Sequence, residues 1–135
     1  MGRRLLGVIV GMIVAMLVVT AAEALGQRAY PLPAGVAADP AALRALIHTL
    51  PTGAFAFVLG GWVLGAGLGS WAALRVSRAS TLRPGLIVGT VVLVAAAYNV
   101  WTIPHPLWLV AAAVLGIPAA TYLGATSGRI AERAA

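Results

Sequence analysis

The sequence predicts an all-α bundle of four transmembrane helices with a short external amphipathic helix. Three observations carry that prediction. Of 135 residues, 61% are hydrophobic and only 9% charged, whereas a soluble domain carries about a quarter charged residues. Four apolar segments each approach or reach the ~20 residues that a helix needs to cross a hydrocarbon core. The nine basic residues, all arginine, lie between and beyond these segments. A charged fraction this low cannot cover a soluble surface. It excludes an ordinary cytosolic domain, a disordered linker and a nucleic-acid-binding tail. With no cysteine, the chain has no disulfide, thiol nucleophile or Cys-ligated metal centre.

The first span is expected over residues 5–25, interrupted only by Thr20 and Glu23. Met1–Arg4, the apolar run and Ala22-Glu23-Ala24 have the outline of a cleaved signal peptide. However, the run from Leu5 to Ala22 is longer than the roughly 7–15 residues of a signal core. It also carries Gly7, Gly11 and Ala15, a helix-packing stripe, so a retained span is expected. An external connection follows over residues 26–52. Tyr30-Pro31-Leu32-Pro33 leaves the membrane extended, as proline favours. Asp39-Pro40 then reads as an N-cap with proline at the first helical position. Leu43, Leu46, Ile47 and Leu50 recur at helical spacing. A surface helix over about 40–50 is expected, lying on the membrane or capping the bundle mouth.

The second span is expected over 53–74, the third over 84–101 and the fourth over 107–126. Helix is required because lipid offers the backbone no hydrogen-bond partner, and the alternation of a membrane β-strand is absent. Pro84 suits the first turn of the third span. The five residues Thr102–Pro106 join the last two spans as a tight hairpin. Pro118, inside the fourth span, frees the carbonyl of Val114 and favours a kink. Seven arginines (Arg3, Arg4, Arg75, Arg78, Arg83, Arg129 and Arg133) fall on one side and two, Arg28 and Arg44, on the other. The positive-inside rule then places both termini in the cytoplasm, in a cytoplasmic (inner) membrane. On this reading the net charge of +6 is topological; the partner it implies is anionic lipid, not nucleic acid.

Between helices in lipid, small residues carry the association. The second span has Gly61, Gly65, Gly69 and Ala73; the fourth has Ala112, Gly116, Ala120, Gly124 and Gly128. Gly85 and Gly89 form a shorter pair. These glycine-zipper stripes either pack helices within one chain or bind a second copy or another membrane protein; the chemistry is the same.

Polar residues within a membrane mark function because their placement costs free energy. Here they gather at the external end. Glu23, the only acid in a span, is followed by Gln27, Arg28 and Tyr30. Tyr98 and Asn99 end the third span, and His105 stands in the turn beyond it. Glu23, Asn99, His105, Tyr98 and Arg28 are therefore the candidate ligand- or ion-binding residues. In the bland alternative, Glu23 only pairs with Arg28, Arg44 or a histidine, and the aromatic residues only anchor the interface.

Enzymatic arrangements are disfavoured. The serines Ser70, Ser77, Ser80 and Ser127 fall at the cytoplasmic side and both histidines outside, so no Ser-His-acid triad assembles. Glu23, His48 and His105 lack metal-ligand spacing, so no metal is expected. The glycines Gly60-Gly61 and Gly65-x-Gly67-x-Gly69 lie inside a span, not after a strand, and cannot cradle phosphate. No cofactor is implied.

Across its whole length, with Glu23…Tyr30-Pro-Leu-Pro and Asn99…Ile103-Pro-His-Pro-Leu-Trp108, the chain resembles small four-pass bacterial integral membrane proteins, a grouping that implies no activity. It lacks the paired cysteines of four-pass quinone-reducing disulfide enzymes. It also departs from small multidrug transporters, whose acid sits near the middle of the first span. The function expected is therefore a non-enzymatic scaffold or interaction protein. The alternative is a small transporter or channel component using the outer polar residues, in which Glu23→Gln would abolish pH-dependent flux.

Overall fold

The computed structural model describes residues 2–133, with no account of the side chains of 37 and 130–133. The described residues form five α-helices: α1 (Gly2–Ala29), α2 (Pro40–Leu46), α3 (Thr52–Ser77), α4 (Arg83–Thr102) and α5 (Leu107–Arg133). Two 3-10 turns, Val36–Ala38 and Ile47–Thr49, flank α2. Among the described residues there is no strand, and α1, α3, α4 and α5 are each long and apolar enough to cross a membrane. The fold is an all-α, four-span membrane bundle with a short accessory helix.

The helices outrun the apolar segments that define them. α1 begins at Gly2 and ends only at Ala29, because no residue between Arg3 and Arg28 breaks a helix; Pro31 follows. α3 stops where Arg78 adopts a left-handed conformation at φ 48°, its N–H bonding the Leu74 carbonyl, the usual way a helix satisfies its last acceptors. Its side of the bundle also carries Arg75, whose guanidinium lies 5.9 Å from the Trp71 ring centroid. α5 continues as helix through Pro118.

Backbone proximity sets the arrangement. A Cβ on Gly11 would lie 2.6 Å from the Gly69 carbonyl oxygen, one on Gly7 2.6 Å from that of Ala73, and one on Gly61 3.0 Å from the Ala22 methyl. α1 and α3 therefore run antiparallel in near-backbone contact, and the stripe Gly61, Gly65, Gly69 and Ala73 is used within the chain. The α5 stripe meets the other side of α3. Gly116 faces Val63, Gly124 rests on the carbonyl of Gly67, and Gly128 approaches the carbonyl of Trp71, so α3 and α5 are parallel. Gly85 and Gly89 of α4 seat against Leu74, Ala125 and Thr121.

α3 is thus the hub, in contact with α1, α4 and α5, while α1 and α5 lie on opposite sides of the α3–α4 pair without touching. Val88, Leu109, Ile117 and Ala66 fill the centre. Because lipid is as apolar as these side chains, their packing contributes dispersion and complementarity more than hydrophobic transfer. The polar groups of the interior are satisfied locally. The Ser70 hydroxyl donates to the Gly85 carbonyl at 2.9 Å, linking α3 to α4, and that of Thr121 to Ile117 at 2.7 Å. No described buried side-chain nitrogen or oxygen lacks a partner.

The expected surface helix is shorter than its apolar pattern. α2 gives way to the 3-10 turn at Ile47 because Pro51 holds Leu50 extended (φ −70°, ψ 139°). The Asp39 carboxylate caps α2 by accepting from the Ala41 N–H at 2.9 Å. Ile47 is only 6% exposed and belongs to the same core as Phe55. The apolar face of this segment therefore turns onto the bundle mouth as a cap.

Candidate functional site

At the end of the bundle that carries α2, side chains from α1, α2, α3, α4 and the α4–α5 turn line a half-open cavity of about 190 Å³. Glu23, Gln27 and Tyr30 enter it from α1 and the residue beyond it, at i, i+4 and i+7, one face of a helix. Asn99 enters from the last turn of α4 and His105 from the turn that follows. Leu43, Ile47 and Leu50 form its apolar cover, and Phe55 and Val58 of α3 its wall.

His105, Tyr30 and Arg44 are each positioned by a neighbour. The His105 Nδ1–H donates to the Ile103 carbonyl at 2.7 Å; a carbonyl can only accept, so this bond places the proton on Nδ1 and leaves Nε2 of the neutral ring as an acceptor. The imidazole lies 6.1 Å from the Phe55 ring in an edge-on arrangement and 5.9 Å from Trp62. Tyr30 packs edge-on against Phe57 at 6.3 Å and covers Gly53, where any side chain would meet its hydroxyl. The cap is tied down by Arg44, whose Nε and Nη2 both donate to the Thr102 carbonyl, at 3.1 and 3.0 Å. Arg44 thus bridges α2 to the end of α4. No described residue forms an ion pair or hydrogen bond with Glu23.

Three of the five sequence candidates, Glu23, Asn99 and His105, line this one cavity. The other two do not. Arg28 follows Gln27 by one residue and is turned about 100° around α1; like Glu23 and Gln27 it is exposed, but unlike them it is outside the lining. Tyr98 is 70% exposed and shares the outer helix surface with Trp101, at 89%. Both suit the aromatic belt at a membrane interface. His48 is also exposed, and no described group of three or more His, Asp or Glu side chains could hold a metal. Sequence reasoning passed over Phe55 and Trp62. Their seven-residue spacing on α3 was a visible sign that both rings face the same neighbour.

A second cavity, of about 300 Å³, adjoins the first and shares Glu23 and Asn99 with it. It is a groove between α1 and α4 with Trp62 at its base. Met12, Ala15, Met16, Val19 and Thr20 line it on one side, and Val91, Val92, Ala95 and Ala96 on the other. The two helices touch where Gly11 meets Val88 and leave this space further toward the mouth. Met16, Thr20, Val91 and Ala95 are exposed along its rim. The serines Ser70 and Ser77 lie buried toward the opposite end, bonded to the Gly85 and Leu74 carbonyls, and neither lines either cavity.

No protein-family model matches the chain, and neither a curated protein nor a solved structure resembles it significantly. The class that the fold defines is therefore a multi-pass helical membrane protein, and the site stands on its own geometry.

Proposed function

We propose that this is a non-enzymatic binding protein of a cytoplasmic membrane, with both termini in the cytoplasm, that holds a small ligand at its outer mouth. The observation that carries the reading is the convergence of Glu23, Asn99 and His105 on one cavity in which the carboxylate has no partner within the described chain. The polar groups offered there are a carboxylate, two side-chain amides (Gln27 and Asn99), the Tyr30 hydroxyl and the imidazole of His105. With a carboxylate and no arginine in the lining, the set suits a ligand bearing a positive charge or several N–H or O–H donors. The division of the arginines supports the orientation. The hydroxyls of Ser70 and Ser77, engaged far from His105, favour binding over nucleophilic catalysis.

Native mass spectrometry of the protein from lipid nanodiscs, beside a Glu23→Ala/His105→Ala variant, tests this. A defined small adduct retained by the wild type and lost by the variant at unchanged oligomeric state is the expected result. Identical adducts on both proteins would make the cluster structural and overturn the reading.

A further inference from the structure

The groove between α1 and α4 and the polar cavity are continuous through the same two residues, Glu23 and Asn99. One end of this combined space is acidic and polar. The other is apolar, opens between two helices, and descends along the length of α1 from Glu23 toward Met12. We infer that the occupant is a single-tailed amphiphile with an ammonium head: the head at Glu23, Asn99 and His105, the hydrocarbon tail between α1 and α4. This inference rests on the binding role proposed for the mouth and names the class of ligand.

Three features favour this occupant. The first is charge complementarity: Glu23 is a carboxylate without a described partner, and no arginine lines either cavity, so an ammonium is matched and an anionic head is not. The second is the character of the wall. Close association of membrane helices uses small residues that let backbones approach. Yet the spaced glycines Gly7, Gly11, Gly61, Gly65 and Gly69 of α1 and α3, and Gly116, Gly124 and Gly128 of α5, are already seated against helices of this chain. The groove has no glycine in its lining; among its alanines and valines it presents Met12 and Met16, unbranched and adaptable side chains that conform to a flexible chain. The third is access. The exposed rim at Met16, Val91 and Ala95 faces the side from which a lipid tail would enter, so an amphiphile reaches the site laterally without dehydrating its tail.

The test uses octadecylammonium carrying a photoreactive diazirine at mid-chain, added to the protein in phosphatidylcholine nanodiscs, with labelled residues mapped by mass spectrometry. Labelling is expected to concentrate on Met16 and Val91, several-fold above Leu115 and Leu123 on the exposed face of α5, which report ordinary annular lipid. Glu23→Gln should lower the groove label about tenfold, the loss expected for removing one charge partner at a part-hydrated site. Ala95→Phe, which fills the rim, should remove the groove label. Short-chain ethylammonium, detected as an adduct by native mass spectrometry, should still bind this variant.

Equal labelling of the groove and α5, or a groove label indifferent to Glu23→Gln, overturns the tail assignment while leaving the mouth as a binding site. Ethylammonium binding that survives Glu23→Gln instead overturns the mouth reading itself. Absence of groove label together with a dimer that Ala95→Phe converts to monomer assigns the groove to a second copy, and overturns the proposal.

Discussion

The two outer helices of the bundle, α5 and α1, flank the same α3–α4 pair and use it differently. α5 closes on both of its neighbours, placing Gly116, Gly124 and Gly128 against α3 and Thr121 and Ala125 against the glycines of α4. α1 closes on α3 with equal intimacy through Gly7 and Gly11; it meets α4 at Val88, and nearer the mouth a groove opens between the two. The difference lies in which residues fill the second seam. On the α5 flank, glycine meets alanine and threonine and the backbones come together. On the α1 flank, Ala15, Thr20, Ala95 and Ala96 also line the seam, but Met12, Met16 and Val19 stand among them opposite Val91 and Val92, and a cavity lies between the helices. Glycine stripes therefore set the bundle, and the lack of glycine where α1 faces α4 beyond Gly11 accompanies the groove.

The sharpest break of that comparison is a side chain added on the closed flank. Gly124→Val would drive its Cβ into the carbonyl of Gly67, a backbone atom that cannot rotate away, and should destabilise the bundle by about 3 kcal/mol, read as a lowered unfolding midpoint in detergent. A smaller effect is expected at the mouth. Arg44→Ala removes both hydrogen bonds from α2 to the Thr102 carbonyl and should cost about 1 kcal/mol. The loss should appear as faster amide exchange at Leu43 and Ile47 with the spans unaffected. Smallest of all, Ala95→Phe on the open flank should change global stability by less than about 0.5 kcal/mol in the same unfolding assay, although it adds no less volume than Gly124→Val. If the two variants destabilised equally, the distinction between a closed and an open flank would fail.

How much of this was legible in the sequence follows from the same physics. The four helices were readable because a 61% hydrophobic chain has no other way to satisfy its backbone in lipid. Their ends were less so: hydropathy stops at Leu25, but helix continues to Ala29, since the single Gly26 weakens it without breaking it and the first proline comes only at Pro31. The single helix expected over 40–50 became α2 and a 3-10 turn through the constraint that Pro51 places on Leu50. Glu23, Asn99 and His105 could be picked out as polar residues at one depth, and depth is what sequence reports. Depth alone cannot give azimuth, so Tyr98 and Arg28 were grouped with them although both point elsewhere. The shared face of Glu23, Gln27 and Tyr30 carried that information. The groove left no local signature at all, since it lies between two helices, α1 and α4, that are far apart in the sequence.

The turn that carries His105 bears on water. Pro104 and Pro106 contribute no amide hydrogen to it, the Ile103 carbonyl is taken by His105 Nδ1, and the Ile103 N–H bonds back to Asn99 at 2.9 Å. What the turn leaves unbonded within the described chain is one donor, the His105 N–H, and two acceptors, the carbonyls of Pro104 and His105. It therefore shows water and any arriving ligand more acceptors than donors, and adds to the preference of the mouth for a group that donates hydrogen bonds.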